Sequence, residues 1–287
     1  MMAVTPRGLD VEIDGHVSPA GQLELRDLAR GFAGALFVSL PLLFTMEMWE
    51  VAKTMPDWVL VAFLGIGFLF NRLYIQVAGY RCAAWQNSKW WDAIVTMGIG
   101  AVTSILTLFV TGIIGPDLDW YLTAKTVMIE TIPTSMGAAV AINQLGGGDS
   151  VSPEKMGFSP DVEMMVGTLL GGFLFAFNIA PTVEPKVIVL QQDWWHVGAT
   201  MLLSLAASYL MVEVAQFEMR DLKKRRVVNS AWLEALISYI VAFLVSMLLL
   251  WVFGYGTPGD PIEVWLPQTI VLAYATTLGG AAGRLVL

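Results

Sequence analysis

The chain is written twice: residues 31–145 and 161–287 are two versions of one pattern, each holding four apolar stretches of membrane-crossing length. Gly34, Thr45, Met46 and Glu47 fall on Gly171, Thr182, Val183 and Glu184, and Val77-Ala78-Gly79-Tyr80 falls on Val214-Ala215-Gln216-Phe217. Farther along, Asn87-Ser88-Lys89-Trp90-Trp91-Asp92 meets Asn229-Ser230-Ala231-Trp232-Leu233-Glu234. Thr126, Thr134, Gly137, Ala138 and Ala139 meet Thr269, Thr277, Gly280, Ala281 and Ala282. Such a pattern allows few folds. A lipid-embedded backbone must satisfy its own hydrogen bonds, so each stretch is expected to be a helix and the two halves to be like bundles, with a transport site between them.

A helix rises about 1.5 Å per residue, so roughly 20 apolar residues cross the hydrocarbon. Eight stretches qualify: residues 31–52, 58–79, 91–114, 121–144, 161–184, 194–216, 231–254 and 264–285. All eleven tryptophans sit near their ends, as interfacial belts require: Trp49, Trp58, Trp120, Trp194, Trp195, Trp251 and Trp265 at one surface, Trp85, Trp90, Trp91 and Trp232 at the other. Positive residues set the orientation. Arg7, Arg26, Arg30, Arg81, Lys89, Lys155, Arg220, Lys223, Lys224, Arg225, Arg226 and Arg284 fall on the side of the N-terminus, with only Lys53 and Lys186 opposite. Both termini are therefore expected in the cytoplasm.

The expected fold is an all-α integral membrane protein of eight transmembrane helices, two parallel four-helix repeats related by a pseudo-twofold along the membrane normal. Residues 1–30 form a cytoplasmic segment with a short interfacial helix from Ser18 to Arg30, and residues 146–160 are a polar linker. No positively charged stub with a short apolar core and cleavage site opens the chain, so no cleaved signal peptide is expected. The basic run Lys223–Arg226 is most simply a topology anchor.

Composition narrows the chemistry. Hydrophobic residues make up 56% and charged residues 14%, far from the mix of a soluble domain. One cysteine, Cys82, excludes internal disulfides and CxxC motifs, and two histidines, His16 and His196, are too few for histidine-rich iron or paired haems. No nucleophile, metal-ligand or nucleotide motif at useful spacing appears, so no cofactor, no enzymatic activity and no nucleic-acid partner are expected. The seventh span lacks a central lysine, which disfavours a retinal pump.

Ionisable residues inside a bilayer cost at least about 2.5 kcal/mol and usually face a protein interior or a water path. Glu130, about 15 Å into the fourth span by helical rise, is the clearest case. Thr123, Thr126, Thr134 and Gly137 share its face, and Pro133 disturbs the backbone beside it. It reads as a cation-coordinating or proton-carrying carboxylate, or as an acid hydrogen-bonded to lock the bundle. Glu47 and Glu184 are the repeated pair, each two residues after a threonine, Thr45 or Thr182. They lie either on an ion path about the pseudo-axis or at the outer interface. Pro41, Asn178 and Pro181 imply kinks that free carbonyls beside them.

Arg72, in the second span with Asn71 beside it, either snorkels or forms a structural ion pair, or serves an ion path, and a buried guanidinium there needs a partner, for which Glu130 or Glu213 are the candidates. Lys125 is near enough to the outer surface to snorkel. Asp92 and Glu234 open helices and read as dipole-complementing acids. Gly167 with Gly171, and Gly279 with Gly283, have the spacing for close helix approach, inside the bundle or between copies. Outer loops carry Asp57, Asp117, Asp119, Asp193, Asp260 and Glu263, a field that concentrates cations.

The segment Gly34–Trp49, and within it the Leu-Pro-Leu-Leu-Phe-Thr-Met-Glu run from Leu40 to Glu47, resembles the opening span of a bacterial family of integral membrane proteins of unknown function. The resemblance covers most of the chain and implies a location in the bacterial inner membrane. It supplies neither catalytic residues nor a substrate. The residues themselves point to an ion channel or proton-coupled carrier for a small cation, lined by Glu130, Glu47, Glu184, Thr45, Thr182, Thr126, Thr134 and Arg72. Carboxylates and hydroxyls are hard ligands suited to protons, alkali ions, Ca²⁺ or Mg²⁺. The alternative is a non-transporting membrane scaffold or sensor whose buried acids serve packing. Expected partners are the cation and the bilayer, with homo-oligomerisation left open.

Overall fold

The structure, a computed structural model, describes residues 19–78, 89–144, 159–217, 230–257 and 259–286. The linker glycines, the basic run Lys223–Arg226, Arg81, Cys82 and Trp85 lie outside these residues. Ten helices make up the described chain: α1 (Pro19–Leu43), α2 (Met46–Thr54), α3 (Asp57–Ala78), α4 (Lys89–Val110), α5 (Trp120–Gln144), α6 (Pro160–Phe177), α7 (Glu184–Leu190), α8 (Trp194–Phe217), α9 (Ala231–Val252) and α10 (Ile262–Val286). Among them α3, α4 and α9 are long and apolar enough to cross a membrane by length and composition, and Leu28–Ser39 and Met164–Phe177 are shorter apolar helical stretches.

Two of the expected spans are broken. The sequence reading carries one span through each of residues 31–52 and 161–184, but α1 stops at Leu43 and α6 at Phe177. Each is followed by a short helix, α2 or α7, with an acid in its first turn, Glu47 or Glu184. Side chains cap the interrupted ladders. Thr45 Oγ1 donates to the Pro41 carbonyl, Asn178 Nδ2 to Leu174 at 2.7 Å and Thr182 Oγ1 to Ile179 at 2.6 Å. At the N-terminal end α1 runs unbroken from Pro19, so the expected interfacial helix is the first part of one long helix.

Among the described residues the helices of 19–144 and of 159–286 make contacts in a corresponding order. α1 lies on α4 and α5 as α6 lies on α9 and α10; α3 touches α4 and α5 as α8 touches α9 and α10; α2 rests on α5 as α7 rests on α10. α4 and α9 also end alike. Gly112 and Gly254 take the left-handed conformation, with φ of 75° and 78°, which only glycine enters without penalty. Ile113 N–H reaches the Leu108 carbonyl and Tyr255 N–H the Leu250 carbonyl, both at 2.9 Å, closing the same C-terminal motif.

The register of the last helix differs from the sequence match by one residue. Thr134 pairs with Ser104 on α4, and its counterpart in the second half, pairing with Ser246 on α9, is Thr276 rather than Thr277. Gly137 backs onto Gly34, and Gly279 rather than Gly280 backs onto Gly171. The doublets Thr276-Thr277 and Gly279-Gly280 make the sequence comparison ambiguous, and packing decides it. In this register Glu130 corresponds to Leu272, which is buried in the core.

The largest apolar cluster joins the halves. Phe63 of α3 stacks on Phe177 of α6 at 5.3 Å and meets Phe173 and Phe253 edge-on at 6.0 and 5.9 Å, while Phe70 meets Phe173 at 4.5 Å. Gly167 and Gly171 of α6 face Gly279 and Gly283 of α10: a Cβ on Gly171 would come within 2.3 Å of the Gly279 carbonyl oxygen. Both small-residue motifs therefore serve packing inside the chain. Most described tryptophans are exposed as expected, but Trp49 is half-buried and packs against two apolar clusters, so it belongs to the interior and not to a belt.

Candidate functional site

Glu130 is wholly buried in the first half of α5, and neither carboxylate oxygen has a hydrogen-bond partner. Its surroundings follow from helical geometry. Residues four and seven positions on share its face, and these are Thr134 and Gly137. Thr134 Oγ1 lies 3.1 Å from both Ser104 Oγ and the Gly100 carbonyl on α4, and donates to the Glu130 carbonyl at 2.6 Å. A Cβ on Gly137 would stand 2.6 Å from the Gly34 carbonyl on α1. Glu130 thus occupies the α5 face turned to α1 and α4, inside the first half. Ile129, Ile132 and Met136 form the other face and enter the cluster at the seam. The expectation of an acid between the halves is corrected: the seam is apolar, and the buried acid stands within one half.

The threonine hydroxyls are oriented by main-chain carbonyls of their own segments. Thr126 Oγ1 donates to the Leu122 carbonyl at 2.9 Å, and Thr45, Thr182 and Thr134 likewise give their protons to main-chain carbonyls. Each keeps only lone pairs to offer a cation.

Glu47 is half-buried and Glu184 exposed. As first-turn acids of α2 and α7 they complement those helix N-termini. They also converge on one tyrosine. Burial raises the Tyr255 hydroxyl above its ordinary range, and the carboxylates of Glu47 and then Glu184 raise it further. Tyr255 donates to the Pro181 carbonyl at 2.9 Å, so a loop of the second half reaches the break between α6 and α7. Sequence reading missed this residue; its signal is a bulky aromatic between two glycines, Gly254 and Gly256, where a solvated loop would carry small polar residues.

Arg72 does not pair with Glu130. It donates to Gln76 at 2.5 Å, lies over the Trp90 ring at 5.0 Å and is within electrostatic reach of Asp92. The other candidate, Glu213, has its side chain outside the described residues. Arg72 therefore fastens α3 to the start of α4. Lys125 does not snorkel: it is buried, bonded to the Met55 carbonyl at 2.6 Å and paired with Asp57 at 3.2 Å. It pins α5 to the turn between α2 and α3. Asp92 and Glu234 occupy first turns of α4 and α9, buried, as the dipole reading expects. Among the described residues no group of three or more His, Cys, Asp or Glu side chains is placed to hold a metal.

Apolar helices of crossing length, packed through glycines and hydroxyls around a buried acid, define an integral membrane protein. The chain belongs to the family described as "Putative integral membrane protein (DUF2391)", whose model matches residues 27–287. The resemblance carried by Leu40–Glu47 is thereby borne out, and the family's function is unknown. No curated protein and no solved structure matches the chain significantly.

Proposed function

We propose that this protein transports a small cation, foremost the proton, across the bacterial inner membrane, with both termini cytoplasmic and eight crossings arranged as two parallel repeats. The paired helix contacts, the paired left-handed glycines and the cytoplasmic bias of lysine and arginine support that arrangement. In it, α1 with α2 and α6 with α7 count as one interrupted crossing each, as transporters often build beside their sites.

The observation that carries the transport reading is Glu130: a fully buried carboxyl with two unpartnered oxygens. An uncompensated carboxylate in such a place costs several kcal/mol, whereas a proton or a bound cation removes the charge. The site is built to gain and lose one positive charge. Glu47 and Glu184 gather cations at the outer mouth near Tyr255. Because phenylalanines close the seam, the route lies within the first half and opens by a conformational change, which favours a carrier over a permanently open channel. The reaction is non-enzymatic and needs no cofactor.

Purified protein in proteoliposomes loaded with a pH-sensitive dye tests this. A proton gradient should relax faster with the native chain than with empty vesicles, and Glu130→Gln should bring the rate back to the empty-vesicle level. Unaltered flux in that variant removes Glu130 from the mechanism. A second reading, a non-transporting scaffold, is favoured by the sealed aromatic seam, and it predicts that the native vesicles hold their gradient.

A further inference from the structure

At the end of the bundle where α5 begins, the Glu130 face is roofed by an apolar cluster that takes one side chain from α2. Leu43 at the end of α1, Leu108 of α4 and Ile114 of the loop before α5 are buried there, with Trp49 of α2 and Val127 of α5 packed against them. Helix register sets their level. α4 and α5 are joined by a short loop and meet at Ser104 and Thr134, so Leu108, one turn beyond Ser104, stands level with Glu130, one turn before Thr134. Ile114 lies farther toward the loop end.

α2 is a separate piece held at one end. It joins α1 and α3 through extended residues, Thr45 (φ −98°, ψ 114°) and Met55 (φ −63°, ψ 133°), and a short helix between two such joints can tilt as a unit. Met55 is tied down. Its carbonyl accepts from Lys125 Nζ at 2.6 Å; Lys125 pairs with Asp57 at 3.2 Å, and Asp57 accepts from the Tyr121 hydroxyl at 2.5 Å. Lys125 and Tyr121 both belong to α5, so this clasp fastens α2 to the helix that carries Glu130.

The second half provides an internal comparison. In the matched registers Lys186 stands where the first half has Trp49, Trp194 where it has Asp57, Glu263 where it has Tyr121 and Pro267 where it has Lys125. Lys186 is exposed. The acid is missing as well, since Leu272 corresponds to Glu130. Groups that only hold a bundle together belong in both halves, whereas plug, clasp and acid occur together in one. We infer that α2 is a lid over Glu130, with Trp49 as its plug and Lys125, Asp57 and Tyr121 as the clasp that keeps it shut. This rests on the reading of Glu130 as a group that exchanges protons, and it names the element whose movement admits them from the loop end.

The test reads accessibility, in full-length protein in nanodiscs. Thr126, 3% exposed and one turn before Glu130 on the same face, is changed to cysteine in a Cys82→Ser background, and its reaction with a charged methanethiosulfonate is timed by mass spectrometry. Tyr121→Phe, which removes one exposed hydrogen bond of the clasp, should speed that reaction roughly two- to tenfold, the range one net hydrogen bond supports. Trp49→Ala should speed it further. A reporter at Thr96→Cys, buried near the opposite end of α4, should keep its rate in both variants. An unchanged rate at position 126 in both, or a parallel rise at position 96 from general loosening, would overturn the proposal. Flux is read separately in the vesicles described above. Native flux without any response at position 126 sinks the lid alone, and a response at position 126 without native flux sinks the transport reading alone.

Discussion

Two residues carry opposite lessons about burial. Lys125 is buried with its donors satisfied, so Lys125→Met should lower stability by about 1–3 kcal/mol through loss of a charged hydrogen bond and exposure of the Met55 carbonyl to an apolar contact. Glu130 is buried with its acceptors unsatisfied. Glu130→Leu, which copies the residue at its counterpart Leu272, should raise stability by about 1–3 kcal/mol while abolishing flux. Thermal unfolding of purified variants in detergent reads both. A Glu130→Leu protein that melts lower than the native chain would mean that the carboxyl is a structural group. The face of Glu130 was legible in the sequence, because α-helical spacing places Thr134 and Gly137 beside it. Which neighbours that face meets was not legible, since periodicity says nothing about the direction in which a helix is turned within a bundle. Arg72 shows the same limit: its need for a partner was plain, and Gln76 and Trp90 emerged only when α3 and α4 were packed.

At the scale of helices, backbone contact sets the tolerance for change. Gly171→Leu drives a side chain into the Gly279 carbonyl and the Gly283 backbone, and should cost at least about 1–3 kcal/mol. Gly98→Ala, with nothing within 4 Å of the added carbon, should be neutral or gain about 0.5–1 kcal/mol from helix propensity. Parallel melts of the two variants test whether crowding or propensity governs. Most helix ends could be read ahead of the structure: Ser159 accepts from Val162 N–H at the start of α6, with Pro160 in the first turn. The interruptions after Leu43 and Phe177 were marked only as kinks, by Pro41, Asn178 and Pro181; that the helices stop there was not legible, because hydropathy has no term for a turn whose carbonyls are capped by threonine and asparagine.

For the molecule as a whole, the proposed parallel arrangement makes a claim about sidedness. In a Cys82→Ser background, Asp117→Cys and Asp260→Cys should both react with a membrane-impermeant maleimide added outside intact cells. Reaction of one alone would turn one half over and end the parallel scheme. The duplication was read from matched residues, and the contacts of the described helices can be paired element by element. The one-residue offset in α10 was hidden by its threonine and glycine doublets, where side-chain identity repeats and only contact distinguishes neighbours.

The ring cluster at the seam also limits how the halves can move. Phe63 touches three other phenylalanines at once, one face-on and two edge-on, so a small rotation cannot improve one contact without spoiling another. Displacement would therefore proceed in jumps between interlocked stackings, like a latch with discrete teeth, rather than as a smooth glide.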